Sequence, residues 1–562
     1  MGFEPLWGAF GEVFSLYNLA LMFMGVTAGL IAGSIPGFTI TMAVVLTLPF
    51  TFGLTAVEGL ATMIGVFVGG LSGGLMSGML TGIPGTPSSV ATVFDGFPMV
   101  RRGKPGLALG LGVWSSFFGG IISAVILVLL APQLARIGLE FGPWDFFALV
   151  VFALTITASL SGENLTKGII AGLLGLLVAA IGEDEVNGVA RFDFGFDAIE
   201  QGFDFLPVLV GLFAFSQLLS DVRDPNKARL PLMTSDAKAV RVEHVVAIKM
   251  VIANWVNLLR SAFIGVFTGI LPAAGGSISN ILAYDQAKKA SKVPQDFGKG
   301  TPEGIIAPEA ANNATAGGAL ITMMALGIPG DIVTAVMLGA LLIHNVQPSP
   351  TFISDNPQLA YAIFVAFFLA HFIMIVMQAF CLRAFLWIVR MPMYVLAAVI
   401  LLYTAIGVFA LNNVTHDIWV LFAFGVIGYI MKSLGFPLAP IILGVVLGNI
   451  AELNLSRAVS IDNDVTLFVT RPWSLFFLTV ALFSALFPWY QRMRSRQRWT
   501  LFYLPAACLA LALPLVMMGG WVRPLLAALL VAWAVYMLFR HHQAGWALPQ
   551  SEAHGSGAEK SG

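Results

Sequence analysis

The sequence predicts an all-α polytopic membrane protein, with about 12 to 14 transmembrane or re-entrant helical segments in two inverted-topology repeats whose helices break at Gly-Ile-Pro-Gly motifs. Three observations carry that expectation. The 562 residues are 58% hydrophobic and only 10% charged, where soluble domains carry about 25% charged residues. Apolar runs recur along the chain, many reaching the roughly 20 residues a helix needs to cross hydrocarbon, and they lack the two-residue alternation of a barrel. Two glycine-proline motifs also occur twice in the same order. The 59 glycines and 29 prolines fit close helix packing and interrupted helices.

Other classes lose ground on the same residues. A net charge of -1 argues against nucleic acid. Cys381 and Cys508 both sit in apolar runs, so neither a disulfide framework nor a thiol metal site is implied. Met1 to Phe14 contains Glu4 and Glu12 and no basic segment, so the first helix rather than a cleaved signal is expected to direct insertion.

Loop charges then order the spans, because basic residues in short loops mark the cytoplasmic side. Arg101, Arg102 and Lys104 place their loop inside, and apolar runs at about 108 to 131, 143 to 159 and 167 to 181 cross three times. The next loop is expected outside, and it carries Glu183, Asp184, Glu185, Asp193, Asp197, Glu200 and Asp204 against Arg191. After a span near 206 to 220, Arg223, Lys227, Arg229, Lys238 and Arg241 mark an inside loop. Arg383, Arg390 and Lys432 fall inside and Asn412 to Asp417 outside. Arg492, Arg494, Arg496 and Arg498 are inside again, before a hairpin of runs at about 501 to 518 and 520 to 539. The Gly- and Ser-rich tail from His541 is expected to be disordered.

The internal repeat is read from spacing. Gly29, Gly33 and Pro36 match Gly265, Gly269 and Pro272; Gly82-Ile83-Pro84-Gly85 matches Gly327-Ile328-Pro329-Gly330, each with a glycine before it, Gly73 and Gly318. The interval from the first proline to the second is longer in the second copy (272 to 329 against 36 to 84), with Lys288 to Glu303 a candidate insertion. The segment after the first motif ends at Arg101 to Lys104, whereas the one after the second ends at Gln347 to Gln358 without Lys or Arg. Equivalent segments are thus expected to point in opposite directions, with a substrate site near the midplane.

A proline-glycine break creates half-helices whose first amide groups receive an anion without a buried Arg or Lys. New half-helices are expected at Pro84 and Pro329. The candidate substrate-binding residues are Pro36, Gly37, Gly82, Pro84, Gly85, Thr86, Ser88, Ser89, Gly275, Gly276, Ser277, Asn312, Asn313, Gly327, Pro329 and Gly330, with a hydroxyl from Thr334. Asn312 and Asn313 read two ways, as caps of the apolar helix behind them or as cation and carboxylate ligands at membrane depth. Glu309, Asn312, Asn313 and Thr86 are the candidates for cation coupling, with sodium preferred and a proton the other possibility. No other metal and no cofactor is expected. No Walker-type phosphate loop, H-E-x-x-H or G-x-S-x-G pattern occurs, so hydrolysis is not indicated.

At these motifs the sequence resembles the large membrane subunit of the tripartite tricarboxylate transporter family. The resemblance rests on Gly33-Ser34-Ile35-Pro36-Gly37, Gly82-Ile83-Pro84-Gly85-Thr86-Pro87, Asp95-Gly96-Phe97-Pro98-Met99, Phe297-Gly298-Lys299-Gly300, Pro308-Glu309-Ala310-Ala311-Asn312-Asn313-Ala314, Leu326-Gly327-Ile328-Pro329-Gly330 and Leu341-Leu342-Ile343-His344. The resemblance covers roughly residues 20 to 490. The resemblance implies uptake of organic carboxylates across the bacterial inner membrane, driven by an ion gradient, with a small membrane subunit and a periplasmic solute-binding protein as partners. Ala273 and Ala274 depart from the family pattern of a glycine directly after the proline, and the hairpin at 501 to 539 extends past the usual end.

The expected organisation is a first repeat over 1–110, connecting spans and loops over 111–245, a second repeat over 246–350, C-terminal spans over 351–495, an extra hairpin over 496–540 and the tail over 541–562. A non-coupled channel or scaffold and a membrane-embedded enzyme are the competing classes. Paired breaks in inverted repeats favour the carrier, because an enzyme is expected to gather titratable residues at one membrane face.

Overall fold

Helix starts follow local chemistry. Ser15, Thr39 and Thr55 each accept a backbone N–H with the side chain, Thr55 in a capping box with Glu58, and Pro105 occupies a first turn where no N–H is needed. The computed structural model describes residues 4–35, 38–160, 164–184, 188–196, 199–223, 241–272, 275–388 and 393–548. Pro36, Gly37, Glu185, Asp197, Lys227, Arg229, Lys238, Ala273, Ala274, Arg390 and the tail beyond 548 lie outside the described residues.

The helices are α1 (Glu4–Val13), α2 (Leu16–Ser34), α3 (Ile40–Thr47), α4 (Ala56–Thr81), α5 (Val90–Arg101), α6 (Pro105–Gly138), α7 (Pro143–Leu160) and α8 (Leu165–Ala179). Then α9 (Phe205–Val210) runs through a π turn (Gly211–Phe215) into α10 (Ser216–Val222). There follow α11 (His244–Ala253), α12 (Trp255–Ile270), α13 (Gly275–Ala290), α14 (Glu303–Leu326), α15 (Ile332–Ile343), α16 (Pro357–Ile388), α17 (Met393–Asn412), α18 (Thr415–Ser433) and α19 (Leu438–Ile461). Last come α20 (Pro472–Met493), α21 (Thr500–Met517) and α22 (Val522–Gln543). Among the described residues nine helices are long and apolar enough to cross a membrane, and α11 and α12 form a further pair bent by 81°. The protein is a multi-pass, all-α membrane protein. One antiparallel strand pair, Gly182–Glu183 with Ala190–Arg191, adds a short hairpin to the acidic loop.

The chain forms two compact units, residues 1–140 with 167–449, and 141–166 with 450–562. In the first, α2 packs along α4 and α12 along α14, with α6 and α16 beside them. Both pairs depend on missing side chains. A Cβ at Gly29 would lie 2.2 Å from the Val66 carbonyl oxygen, and one at Gly265 2.3 Å from that of Ala311. Backbones this close gain dispersion energy that lipid cannot replace. In the second unit α20 packs on α7 and α21, and α21 on α22. There the Asp145 carboxylate pairs with Arg471 at 3.0 Å and accepts the Ser474 N–H and hydroxyl.

The GIPG breaks differ from expectation in one respect. α4 and α14 end at Gly82 and Gly327, both left-handed at φ 80° and 69°, as expected for glycine C-caps. The next helices do not begin at the prolines. A 3₁₀ turn spans Pro87–Ser89 before α5, and α15 starts at Ile332. Proline's preceding residue is held extended, so one more turn of chain is needed before helix geometry returns. α13 begins at Gly275, with Gly276 and Ser277 in its first turn.

Candidate functional site

The two breaks share a geometry down to single atoms. Gly85 lies under α2, where a Cβ would meet the Gly33 carbonyl oxygen at 2.3 Å and the Gly74 Cα at 3.0 Å. Gly330 lies equivalently, 2.1 Å from the Gly269 carbonyl oxygen and 2.6 Å from the Ala319 Cα by the same measure. Only glycine fits such backbone approach. Pro84 and Pro329 stand inside these bends, away from any helix start.

The first break carries a buried knot of hydroxyls. Thr86 Oγ1 lies 3.1 Å from Ser88 Oγ and donates to Ser89 Oγ at 3.4 Å, while Ser89 donates to the Thr86 carbonyl. In the second, the Asp331 carboxylate caps α15 by accepting the Thr334 N–H at 2.8 Å, and the Thr334 hydroxyl turns back onto it. Thr334 is thereby engaged in capping, and Asp331, absent from the sequence reading, is the residue that starts the helix.

The N-terminus of α13 touches both breaks. A Cβ on Gly276 would meet Ser88 Cβ at 2.9 Å and Asn312 Oδ1 at 2.7 Å, and one on Gly275, whose φ is 56°, would approach Asp331 Cβ at 3.9 Å. Ser277 stands on the same first turn, half-buried. The structure thus gathers Ser88, Gly275, Gly276 and Asn312 at one place. Pro36 and Gly37 fall outside the described residues.

Asn312 and Asn313 are not helix caps. They lie ten residues and more inside α14, which starts at Glu303 after Pro302 and continues through Pro308, and both are fully buried. The Asn312 amide nitrogen donates to the Leu71 carbonyl at 3.1 Å, which fixes its orientation because a carbonyl only accepts. Its Oδ1 is left with no hydrogen-bond partner among the described residues, facing Gly276. Asn313 Oδ1 accepts from Ser72 at 3.1 Å, and its amide nitrogen is unpartnered.

One turn away on the same face lies Glu309, also fully buried and not a cap. Thr92 donates to its Oε1 at 2.6 Å and Ser116 to its Oε2 at 2.8 Å. No lysine or arginine pairs with it among the described residues, so a carboxylate charge there has only hydroxyl dipoles to offset its desolvation. Asn280 of α13 completes this layer, donating to Thr92 and to the Pro308 carbonyl and accepting the Ala91 N–H at 2.7 Å.

The model of the tripartite tricarboxylate transporter TctA family matches residues 19–443. This chain belongs to that family. As a TctA-family protein it is a membrane component of a multi-subunit transporter, and residues 19–443 include both breaks, Glu309, Asn312 and Asn313. Two proteins of Agrobacterium vitis are similar to it. One, an uncharacterized 52.8 kDa protein in the TAR-I ttuC' 3' region, is 29% identical over 85% of this chain and 95% of its own length. The other, an uncharacterized protein in the TAR-II ttuC' 3' region, is 30% identical over 42% of this chain and 97% of its own length. No solved structure matches the TctA-family chain.

Sequence reasoning missed Ser72, Thr92, Ser116, Asn280 and Asp331. Each is one polar residue in an apolar helix or at its start, and only Asn280, in the weakly apolar run from Gly275 to Ala290, carried a local signal.

Proposed function

We propose that this chain is the large transmembrane subunit of a binding-protein-dependent secondary transporter that imports organic carboxylates across the bacterial inner membrane, coupled to a cation gradient. The observation that carries this reading is the buried, unpartnered Asn312 Oδ1 facing the first turn of α13, which lies against Ser88 of the first break and Asp331 of the second. Amide groups at the starts of α13 and α5 suit a carboxylate without a buried basic side chain, whereas the start of α15 is taken by Asp331. Carboxamide and hydroxyl oxygens of Asn312, Asn313, Ser88 and Thr86 suit a sodium ion, with Glu309 one turn away as a further anionic or protonatable group. Cation and anion in one low-dielectric site offset each other's charge, which is what couples them. The inverted orientation of the repeats is part of this proposal, supported by the loop charges. A small membrane subunit and a periplasmic solute-binding protein are the partners it requires.

The test is reconstitution of the chain with both partners in proteoliposomes, with labelled di- and tricarboxylates and imposed sodium or proton gradients. The expected result is accumulation above the outside concentration that collapses when the ion gradient is removed. Equilibration without accumulation under every gradient would establish an uncoupled pathway instead.

A further inference from the structure

Asp95, on α5, is a fully buried carboxylate held by the other repeat. Its Oδ1 accepts the N–H groups of Gly300 at 2.6 Å, Thr301 at 2.8 Å and Gly298 at 3.0 Å, all in the loop between α13 and α14. The Tyr284 hydroxyl of α13 donates to Oδ2 at 2.9 Å. No lysine or arginine pairs with it among the described residues; neighbouring Lys299 is exposed. The loop is shaped for this grip, since Gly298 and Gly300 take φ of 83° and 91°, and Gly304 leaves room where a Cβ would sit 2.1 Å from Oδ2. An aromatic row of Phe94, Tyr284 and Phe297, with centroids 5.3 Å apart at each step, runs beside it from α5 through α13 to the loop.

The position of this contact is what gives it a role. Along α14 and α5 the polar groups form successive layers: Asn312 and Asn313, then Glu309 with Thr92, then Asp95 beside Gly304. Each step is about one helical turn, roughly 5 Å. The series leads from the junction of the breaks toward Arg101 to Lys104, the end that loop charge places in the cytoplasm. At the last layer every polar tie to Asp95 comes from the second repeat, and the loop supplying the N–H groups is largely exposed, with Pro294, Asp296, Gly298 and Lys299 open to solvent.

We propose that Asp95 and the loop Gly298–Thr301 form a closing latch between the two repeats at the Arg101–Lys104 end of the transport path. Closed, the latch holds α5 against α13 and α14 and covers the small-residue core of Ala283, Ala287, Ala307 and Ala311 under Phe297. Released, it lets the loop swing off α5 and opens the layers beneath. The inference rests on the transport reading only for what passes through; the closure is a property of the chain alone.

The experiment therefore uses no substrate. In a full-length background with Cys381 and Cys508 replaced by alanine, reporter cysteines are placed at Ala283, beneath the loop, and at Ala335 in α15, both buried. Labelling by a hydrophilic maleimide is timed in unsealed membrane fragments. Asp95→Asn, which removes the charge that strengthens the bonds from Gly300 and Thr301 and sets an amide N–H against the Gly298 N–H that Oδ2 now shares, is expected to speed labelling at position 283 at least tenfold and leave position 335 protected. Tyr284→Phe, which removes one donor and keeps the aromatic row, is expected to give a change of a few-fold at 283 alone. Protection of position 283 unchanged in Asp95→Asn overturns the latch. So does equal exposure of both reporters in Asp95→Asn and in the milder Tyr284→Phe, which makes Asp95 a folding contact. Either failure leaves the uptake assay above to stand or fall independently.

Discussion

Counted back from the capping glycines Gly82 and Gly327, the positions that carry Glu309, Asn312 and Asn313 in α14 are Ile64, Phe67 and Val68 in α4, all of them buried. The short helices contrast in the same way: α3 is an eight-residue apolar segment, whereas α13 has sixteen residues and brings Ser279, Asn280 and Tyr284. Yet the breaks superimpose in their contacts, Gly85 on Gly33 and Gly330 on Gly269. The duplicated part is a backbone device that ends a helix and lets the next segment tuck beneath its neighbour. The chemistry is unpaired, and the first repeat answers it with a carbonyl at Leu71 and hydroxyls at Ser72 and Thr92. On the proposed transport reading, one cation site is therefore expected at the junction rather than one in each repeat.

The strongest way to break this comparison is to alter the shared device. Gly85→Val and Gly330→Val each push a branched side chain into a carbonyl oxygen that an ideal Cβ would already meet at 2.3 and 2.1 Å. Uptake is expected to fall to background in both, while fluorescence-tagged protein still reaches the membrane. Normal transport by both would reduce the breaks to packing features.

A smaller effect is expected from the unpaired chemistry. Thr92→Ala and Ser116→Ala each remove one of the two hydroxyls on the Glu309 carboxylate. A hydrogen bond to a charged group is worth about 1.5–3 kcal/mol, so uptake is expected to drop by roughly tenfold or more in each. The double variant is expected to be less than additive because both act on one group. Alanine at Thr157, a buried hydroxyl of α7 that donates to the Ala153 carbonyl of its own helix, is the control expected to stay within about twofold.

The orientation of the repeats is sharpened by labelling. With the native cysteines replaced, Ser354→Cys in the exposed segment after α15 is expected to react with an impermeant reagent from the periplasm, and Lys104→Cys after α5 only from the cytoplasm. Equal labelling of the two from one side would contradict the inverted arrangement while leaving the shared break geometry intact.

The scaffold was legible in the sequence because its signals are local. Apolar run length set the spans near 108, 143, 501 and 520, whereas the runs near 167 and 206 form shorter apolar helices, and glycine with proline marked both breaks to within one turn. The candidate site was only half legible. Gly276, Ser88 and Asn312 carried motif signals, but the cap reading of the asparagines failed because Pro302, not the polar pair, sets where α14 begins. Thr92, Ser116 and Asn280 act across about 190 to 220 residues of chain through hydroxyl and amide bonds that leave no periodicity. Asp95 was visible only as a member of a motif. Its partners are backbone N–H groups, which every residue but proline possesses, so composition could not point to them.

The central claim is that Asn312 Oδ1 binds a coupling cation beside the carboxylate, and the sodium dependence of uptake in Asn312→Ala tests it most directly. Loss of a ligand to one partner must weaken the other by the same coupling free energy. The sodium concentration for half-maximal uptake is expected to rise about tenfold, equivalent to about 1.4 kcal/mol, with the apparent substrate KM raised most at low sodium. A variant that is less stable yet keeps the parent's sodium response and substrate KM would contradict the account and leave Asn312 a packing residue of α14.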